Sequence, residues 1–137
     1  MGVRSIVMDR EALSKPCEEV GHINDVQAVI KNLIDTARSQ PTCAGLAANQ
    51  IGYKARVFVV KIRGKFLHFV NPSFFPTGPA MVSFKESCLS FPGQITETKR
   101  HAQIAAYGNK KGKKLILSGI EAIAFQHELD HLDGICI

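Results

Sequence analysis

Two helices and a set of strands can be read from where the apolar residues fall. Val26, Val29, Ile30, Leu33, Ile34 and Ala37 recur at helical spacing, which predicts one packed face on a helix running through about Ser39. Asn24 or Asp25 is placed to cap it, and Pro41 ends it. Ala55 to Ile62 and Lys65 to Val70 read as strands joined at Arg63-Gly64. Asn71-Pro72 and Pro76 to Pro79 break the chain. Ala80 to Phe91 alternates loosely, Pro92-Gly93 turns, and Ile95–Tyr107 and Leu115–Leu117 read as strands. Residues 1–24 look irregular, with Pro16 and Gly21 as breakers. The run from Cys43 to Gly52 carries small residues around Gln50, suited to a short helix or tight turn that lets backbone approach closely. Near the C-terminus, Ser118-x-x-Glu121 has the form of a capping box. Ile120, Ile123, Ala124, His127 and His131 follow as one stripe, and Gly134 is a stop signal. A helix, several antiparallel strands and a second helix make an α+β arrangement without βαβ alternation.

Composition narrows the setting. The 137 residues, 45% of them hydrophobic, suit a single domain over 1–137. No apolar run approaches the ~20 residues needed to span a bilayer, so no membrane partner is expected. The N-terminus lacks the apolar region of a signal peptide. Met1-Gly2 with Ser5 misses the myristoylation pattern by one place. Cys17, Cys43, Cys88 and Cys136 show no CxxC spacing, and in a soluble cytoplasmic chain free thiols or a metal ligand are expected over bridges. The net charge is +5, with Lys110, Lys111, Lys113 and Lys114 in one Gly-containing cluster. The cluster reads first as a solvated hairpin turn. Contact with nucleic acid such as ribosomal RNA is the lesser alternative, and no RNA-binding motif supports it.

The candidate chemistry lies in the second helix. His127-Glu128-Leu129-Asp130-His131 is an H-E-x-x-H pattern. Positions i and i+4 on a helix lie about 40° apart and roughly 6 Å along the axis, so both imidazoles can reach one ion. Glu128 is rotated about 100° from His127, a poor place for a ligand and a good one for taking a proton from water at the ion.

A catalytic site of this kind needs a third protein ligand. The H-E-x-x-H-x-x-G-x-x-H pattern is matched through Gly134, but its last position is Ile137. The ligand is therefore expected upstream, or at Cys136, which would require a sharp reversal after the helix stop. His22, His68, His101, Cys17, Cys43 and Cys88 are the upstream candidates. Cys88 is favoured locally, because it sits in a strand-like segment that could pair beside the helix, and a thiolate is stabilised by a dication. A buried structural cysteine is the competing reading.

Three blocks in order resemble the peptide deformylase family: Cys43 to Gln50 the family's G-x-G-L-A-A-x-Q, Glu86 to Ser90 its E-G-C-L-S, and Gln126 to His131 its Q-H-E-x-D-H. The resemblance implies antiparallel sheets packed around a central metal-binding helix, with one N-terminal helix. It implies Cys88, His127 and His131 as ligands and Glu128 as general base and acid. Gln50 and the Leu89 N–H would face the oxyanion, and Glu86 would pair with Arg100. Ala44, Gly45, Ser87, Leu89, Ile123 and Ala124 would touch substrate. Cys43 and Ser87 replace family glycines near where substrate backbone docks, so pocket shape is expected to differ.

The implied activity is removal of the formyl group from N-formylmethionyl peptides, releasing formate. Thiolate and imidazoles suit Zn²⁺ or Fe²⁺. The resemblance favours Fe²⁺, with Zn²⁺, Ni²⁺ or Co²⁺ as substitutes. A monomer without DNA contact is expected. Contact with the ribosome would proceed without the family's C-terminal helix. Another amidase or protease on the same metal chemistry, or a non-catalytic metal-binding relic, are the rival classes.

Overall fold

A computed structural model describes residues 2–137, so Met1 of the N-terminal pattern lies outside them. After an extended stretch and a short helix α1 (Arg10–Leu13), the chain enters a 3₁₀ turn at Ile23–Val26 and helix α2 (Gln27–Arg38). Val29, Ile30, Leu33 and Ala37 are buried on one face of α2, as the periodicity requires. The expected cap at Asn24 or Asp25 is displaced. His22 caps the 3₁₀ turn, its Nδ1 accepting the Asn24 N–H at 3.1 Å. A ring nitrogen can play the acceptor part that Asx side chains usually play.

Strand β1 (Gly45–Ala47) and a 3₁₀ turn (Ala48–Ile51) occupy the small-residue run where a helix or turn was expected. Three residues carry too little alternation to read as a strand. The segment is fixed by pairing with β2 (Val57–Ile62), which also pairs antiparallel with β3 (Lys65–Val70), so the sheet order is β1-β2-β3. Arg63 and Gly64 both take positive φ, 51° and 82°, the requirement of a two-residue type I′ hairpin turn.

The central strand β2 is buried on both faces. Val57 and Val59 join the α2 cluster. Phe58, Val60 and Ile62 join the other cluster, in which Phe58, Phe69 and Phe125 meet with ring centroids 4.9 to 5.6 Å apart. Full burial of such side chains is worth about 1.5–3 kcal/mol each, which makes β2 the fixed reference for β1 on its flank.

A second sheet has the order β4-β7-β8, formed by β4 (Ser73–Pro76), β7 (Gln103–Tyr107) and β8 (Lys114–Ser118). The third is a hairpin of β5 (Met81–Cys88) and β6 (Phe91–His101). The single strand expected over 95–107 is thus two strands in different sheets, parted at Ala102, and β4 was not expected at all.

Helix α3 (Gly119–Leu132) follows β8 directly. The capping box does not form. Ser118 is the N-cap but makes no side-chain bond, and the Glu121 carboxylate instead accepts the Arg63 N–H at 2.8 Å. The expected stripe is also corrected. Ile120 is 55% exposed, while Ala122 to Glu128 are buried without a break. The helix end holds as expected: Gly134 sits at φ 79°, its N–H reaches His131 O, and the Ile135 N–H reaches Asp130 O. This is a Schellman closure. No helix of the described residues is long and apolar enough to cross a membrane.

Candidate metal centre

Three elements converge on one point: the end of β5, the 3₁₀ turn after β1, and the middle of α3. The β5–β6 register slips between Ser87 and Cys88, and such a bulge re-aims the side chain beside it. Cys88 Sγ lies 3.2 Å from His131 Nε2. Cys88, His127 and His131, all buried, bring their ligand atoms within 4.8 Å of one another. Of the candidates for the third position, Cys88 is the one that joins the two histidines. Cys136 lies near Ser14 and Arg10, with Sγ 3.5 Å from Ser14 Oγ.

A ring of partners holds these groups. The Glu86 carboxylate accepts His127 Nδ1 at 2.7 Å, an orientation that leaves the other ring nitrogen for the cluster. Arg100 grips Glu86 through two bonds, at 2.7 and 2.8 Å, and reaches Asp130 Oδ2 at 2.6 Å. Thr98 also donates to Glu86. The expected Glu86–Arg100 pair is therefore present. Asp130 and Ser90 fall inside the three blocks but were given no role from sequence, and Thr98 lies outside them, because the partners of all three come from other elements. Gln126 ties α3 to the end of β6, accepting the His101 N–H at 2.9 Å and donating to His101 O at 3.0 Å.

The electrostatics favour a positive charge among the donors. Burial works against protonating His127, yet its contacts with Cys88 and Glu86 push it up to about 10. Burial and the neighbouring charges of His127 and Arg100 drive His131 down to about 3. Burial resists the charge on Glu86 too, but bonds from Arg100, His127 and Thr98 hold it near 2. The charge that His127 keeps while His131 stays neutral is one a bound dication would displace. Among the described residues, Glu128 Oε1 is buried without a partner. The clustered donors of Cys88, His127 and His131 fit a divalent metal, and one sulfur with two imidazoles suits the zinc and iron class.

Glu128 is pushed up to about 7, chiefly by burial, with Glu86 adding to it and His127 opposing it. A carboxyl poised there can take and return a proton near neutrality. Gly45 makes room for it: a Cβ on Gly45 would stand 2.9 Å from Glu128 Oε2 and 3.0 Å from Val59 O. Gln50 is buried, its Oε1 accepting the Ala47 N–H at 2.9 Å. Its Nε2 donates to Ser90 Oγ at 3.1 Å and points at Cys88 Sγ at 3.4 Å. The Leu89 N–H makes no hydrogen bond among the described residues.

A cleft of about 1030 Å³ opens onto the cluster. All six residues expected at substrate, Ala44, Gly45, Ser87, Leu89, Ile123 and Ala124, line it, as do Gln50, Cys88, His127 and Glu128. Cys43 is on the wall, its thiol donating to Gly45 O at 3.2 Å. Burial, helped by nearby Glu128, raises that thiol to about 12, so it stays protonated. Ser5, Ile6 and Met8 form a wall that sequence reasoning missed. An extended segment without periodicity gives no signal. It is placed by tertiary contact, Val7 N–H to Gln50 O at 2.7 Å.

Two imidazoles, a sulfur and a buried carboxyl on one cleft are the makings of a metallohydrolase. The family model described as polypeptide deformylase matches residues 3–137. A peptide deformylase of Aquifex aeolicus is 40% identical, over 97% of this chain and 84% of its own length. One of Clostridium beijerinckii is 37% identical over 98% and 99%. The crystal structure of peptide deformylase from Ehrlichia chaffeensis in complex with actinonin superposes with TM-score 0.83 and 31% identity, covering 98% of this chain and 86% of that one. The chain belongs to the polypeptide deformylase family.

Proposed function

We propose that this chain is a working peptide deformylase, a metal-dependent amidase of one domain that removes the formyl group from N-formylmethionyl peptides. The observation that carries the reading is the meeting of Cys88, His127 and His131 beside buried Glu128, where Cys88, His127 and Glu128 line one cleft. Cys88, His127 and His131 would hold the metal. Fe²⁺ is the proposed ion, with Zn²⁺, Ni²⁺ or Co²⁺ able to replace it. When bound it supplies Lewis acidity, lowering the pKa of water and polarising the formyl oxygen.

The chain's own residues do the rest. Glu128 takes a proton from the attacking water. As water oxygen bonds to the formyl carbon, the Gln50 amide and the Leu89 N–H donate to the developing oxyanion, support of a kind worth about 3–4 kcal/mol per donor elsewhere. Glu128 then returns the proton to the leaving nitrogen, the C–N bond breaks, and formate and a free methionine amine result. Strand β1 has a free edge beside the cleft, where Gly45 can pair with the peptide backbone. Ala44, Gly45, Leu89, Ile123 and Ala124 supply the methionine pocket, and Ser87 meets the backbone at the rim. A formyl carbon bears only hydrogen, so a tight floor can admit it and turn away larger acyl groups. The setting we propose is cytoplasmic, with a monomeric enzyme meeting nascent chains at the ribosome and having no DNA partner.

Formate release from formyl-Met-Ala-Ser, with acetylated and internal-peptide controls, tests this. Turnover of the formyl peptide alone, blocked by actinonin, is expected. Equal cleavage of the acetylated or internal bond would make the chain a general amidase or protease instead, and metal uptake without formate would make it a relic.

A further inference from the structure

The outer face of the β4-β7-β8 sheet takes no part in the cleft. Cross-strand pairing aligns Phe75 with Ala105 and Ile116, and Ser73 with Tyr107 and Lys114. Phe75 is 64% and Ile116 52% exposed. The Phe75 and Tyr107 rings meet edge-on at 6.1 Å. The turn joining β7 to β8 carries Lys110, Lys111 and Lys113, and Lys114 opens β8; all four are exposed. Among the described residues none of the four makes an ion pair. No Asp or Glu occurs in residues 36–85 or 101–120, the stretches that supply every strand of this sheet. A lysine turn alone is ordinarily a solvated one. Here it borders uncovered aromatic surface on a sheet with no acidic residue to neutralise it.

We propose that this face binds single-stranded RNA, the lysines on phosphates and Phe75 with Tyr107 under the bases. Aromatic platforms beside a basic track are how strands are held without sequence preference. The choice of RNA rests on the deformylase reading, since a substrate emerging from translation is surrounded by RNA. Because β8 runs straight into α3, a strand docked here would hold the cleft beside the source of its peptides.

Fluorescence anisotropy of metal-loaded protein with an unstructured RNA of about 12 nucleotides tests it, across about 50 to 200 mM salt. Replacing all four lysines with glutamine is expected to weaken binding at least ~10-fold. It should also flatten the log–log salt dependence by about 3, from ~0.7 per phosphate contact on a single strand. Phe75→Ala should weaken binding ~5-fold or more and leave that slope alone. Both variants should release formate from a short formyl peptide at the unaltered rate, which separates failure here from failure of the deformylase reading. Replacing Lys15, Lys31 and Lys99 instead should change nothing. The proposal is overturned if RNA fails to bind at low salt, if the lysine or Phe75 variants bind as before, or if a matched DNA strand or polyglutamate binds more tightly.

Discussion

Helices α2 and α3 are of similar length and do opposite things with their side chains. On α2 the buried positions are almost all apolar and lie on one face, with Lys31 and Asp35 paired in solvent on another. On α3 the buried positions run around the helix and include Gln126, His127, Glu128 and His131. Burying four polar groups is unfavourable unless they are paired. The partners that exist come mostly from elsewhere: Glu86 of the β5–β6 hairpin for His127, Cys88 at the end of β5 for His131, and the His101 backbone for Gln126, while among the described residues Glu128 Oε1 has none. A packing helix is specified by its own residues. A reactive helix is specified by what surrounds it.

The sharpest break in that comparison is removal of a proposed ligand. Cys88→Ala, His127→Ala and His131→Ala should each lose metal and formate release together, read by metal analysis and turnover on one preparation. Stoichiometric metal in Cys88→Ala at unchanged affinity would mean that the third donor is another group.

Next in size is Glu128→Gln, which keeps shape and removes the base. Metal and fold should persist while the chemical step slows at least ~10²-fold, with little change in substrate binding. Single-turnover formate release checks this, and near-normal turnover with full metal would remove Glu128 from the mechanism.

Arg100→Ala probes the surroundings. It strips buried Glu86 of its bidentate partner and also frees Asp130. Breaking a buried pair from one side typically destabilises by about 3–5 kcal/mol, and losing a group that orients a ligand weakens metal binding about 10- to 100-fold. Denaturant melts and metal titration should show both. A loss of stability alone would make the network structural only.

On α2, Leu33→Ala should remove about 2–5 kcal/mol of stability from a fully buried site. Turnover per folded molecule should be unchanged. An equal fall in activity would mean that the two helices are coupled through β2.

The same contrast explains what could be read from sequence. The face of α2 and the β2–β3 hairpin were legible because their signals are local: period, breakers and a Gly at the turn. The proposed α3 ligands were legible because helical geometry alone brings His127 and His131 together. The Ser118–Glu121 capping box failed because Arg63, distant in sequence, offers Glu121 a better donor. The strand at Gly45–Ala47, the break at Ala102, the exposure of Ile120 and the support from Asp130 and Thr98 all depend on neighbours that no window of sequence contains.

The closure of α3 also ties distant parts of the chain together. Gly134 packs so tightly on the Ser14 carbonyl that a Cβ would stand 2.5 Å from it. The Cys17 N–H bonds Leu132 O at 2.7 Å, and the contact between Ser14 and Cys136 spans 122 positions. The segment from Ser14 to Cys17 is thus clamped to the turn that closes α3, while Val7, nearer the cleft wall, is held by Gln50. Contacts this distant in sequence reward the chain only after a long loop has closed, so these two segments hold each other and neither is fixed by its own local signals.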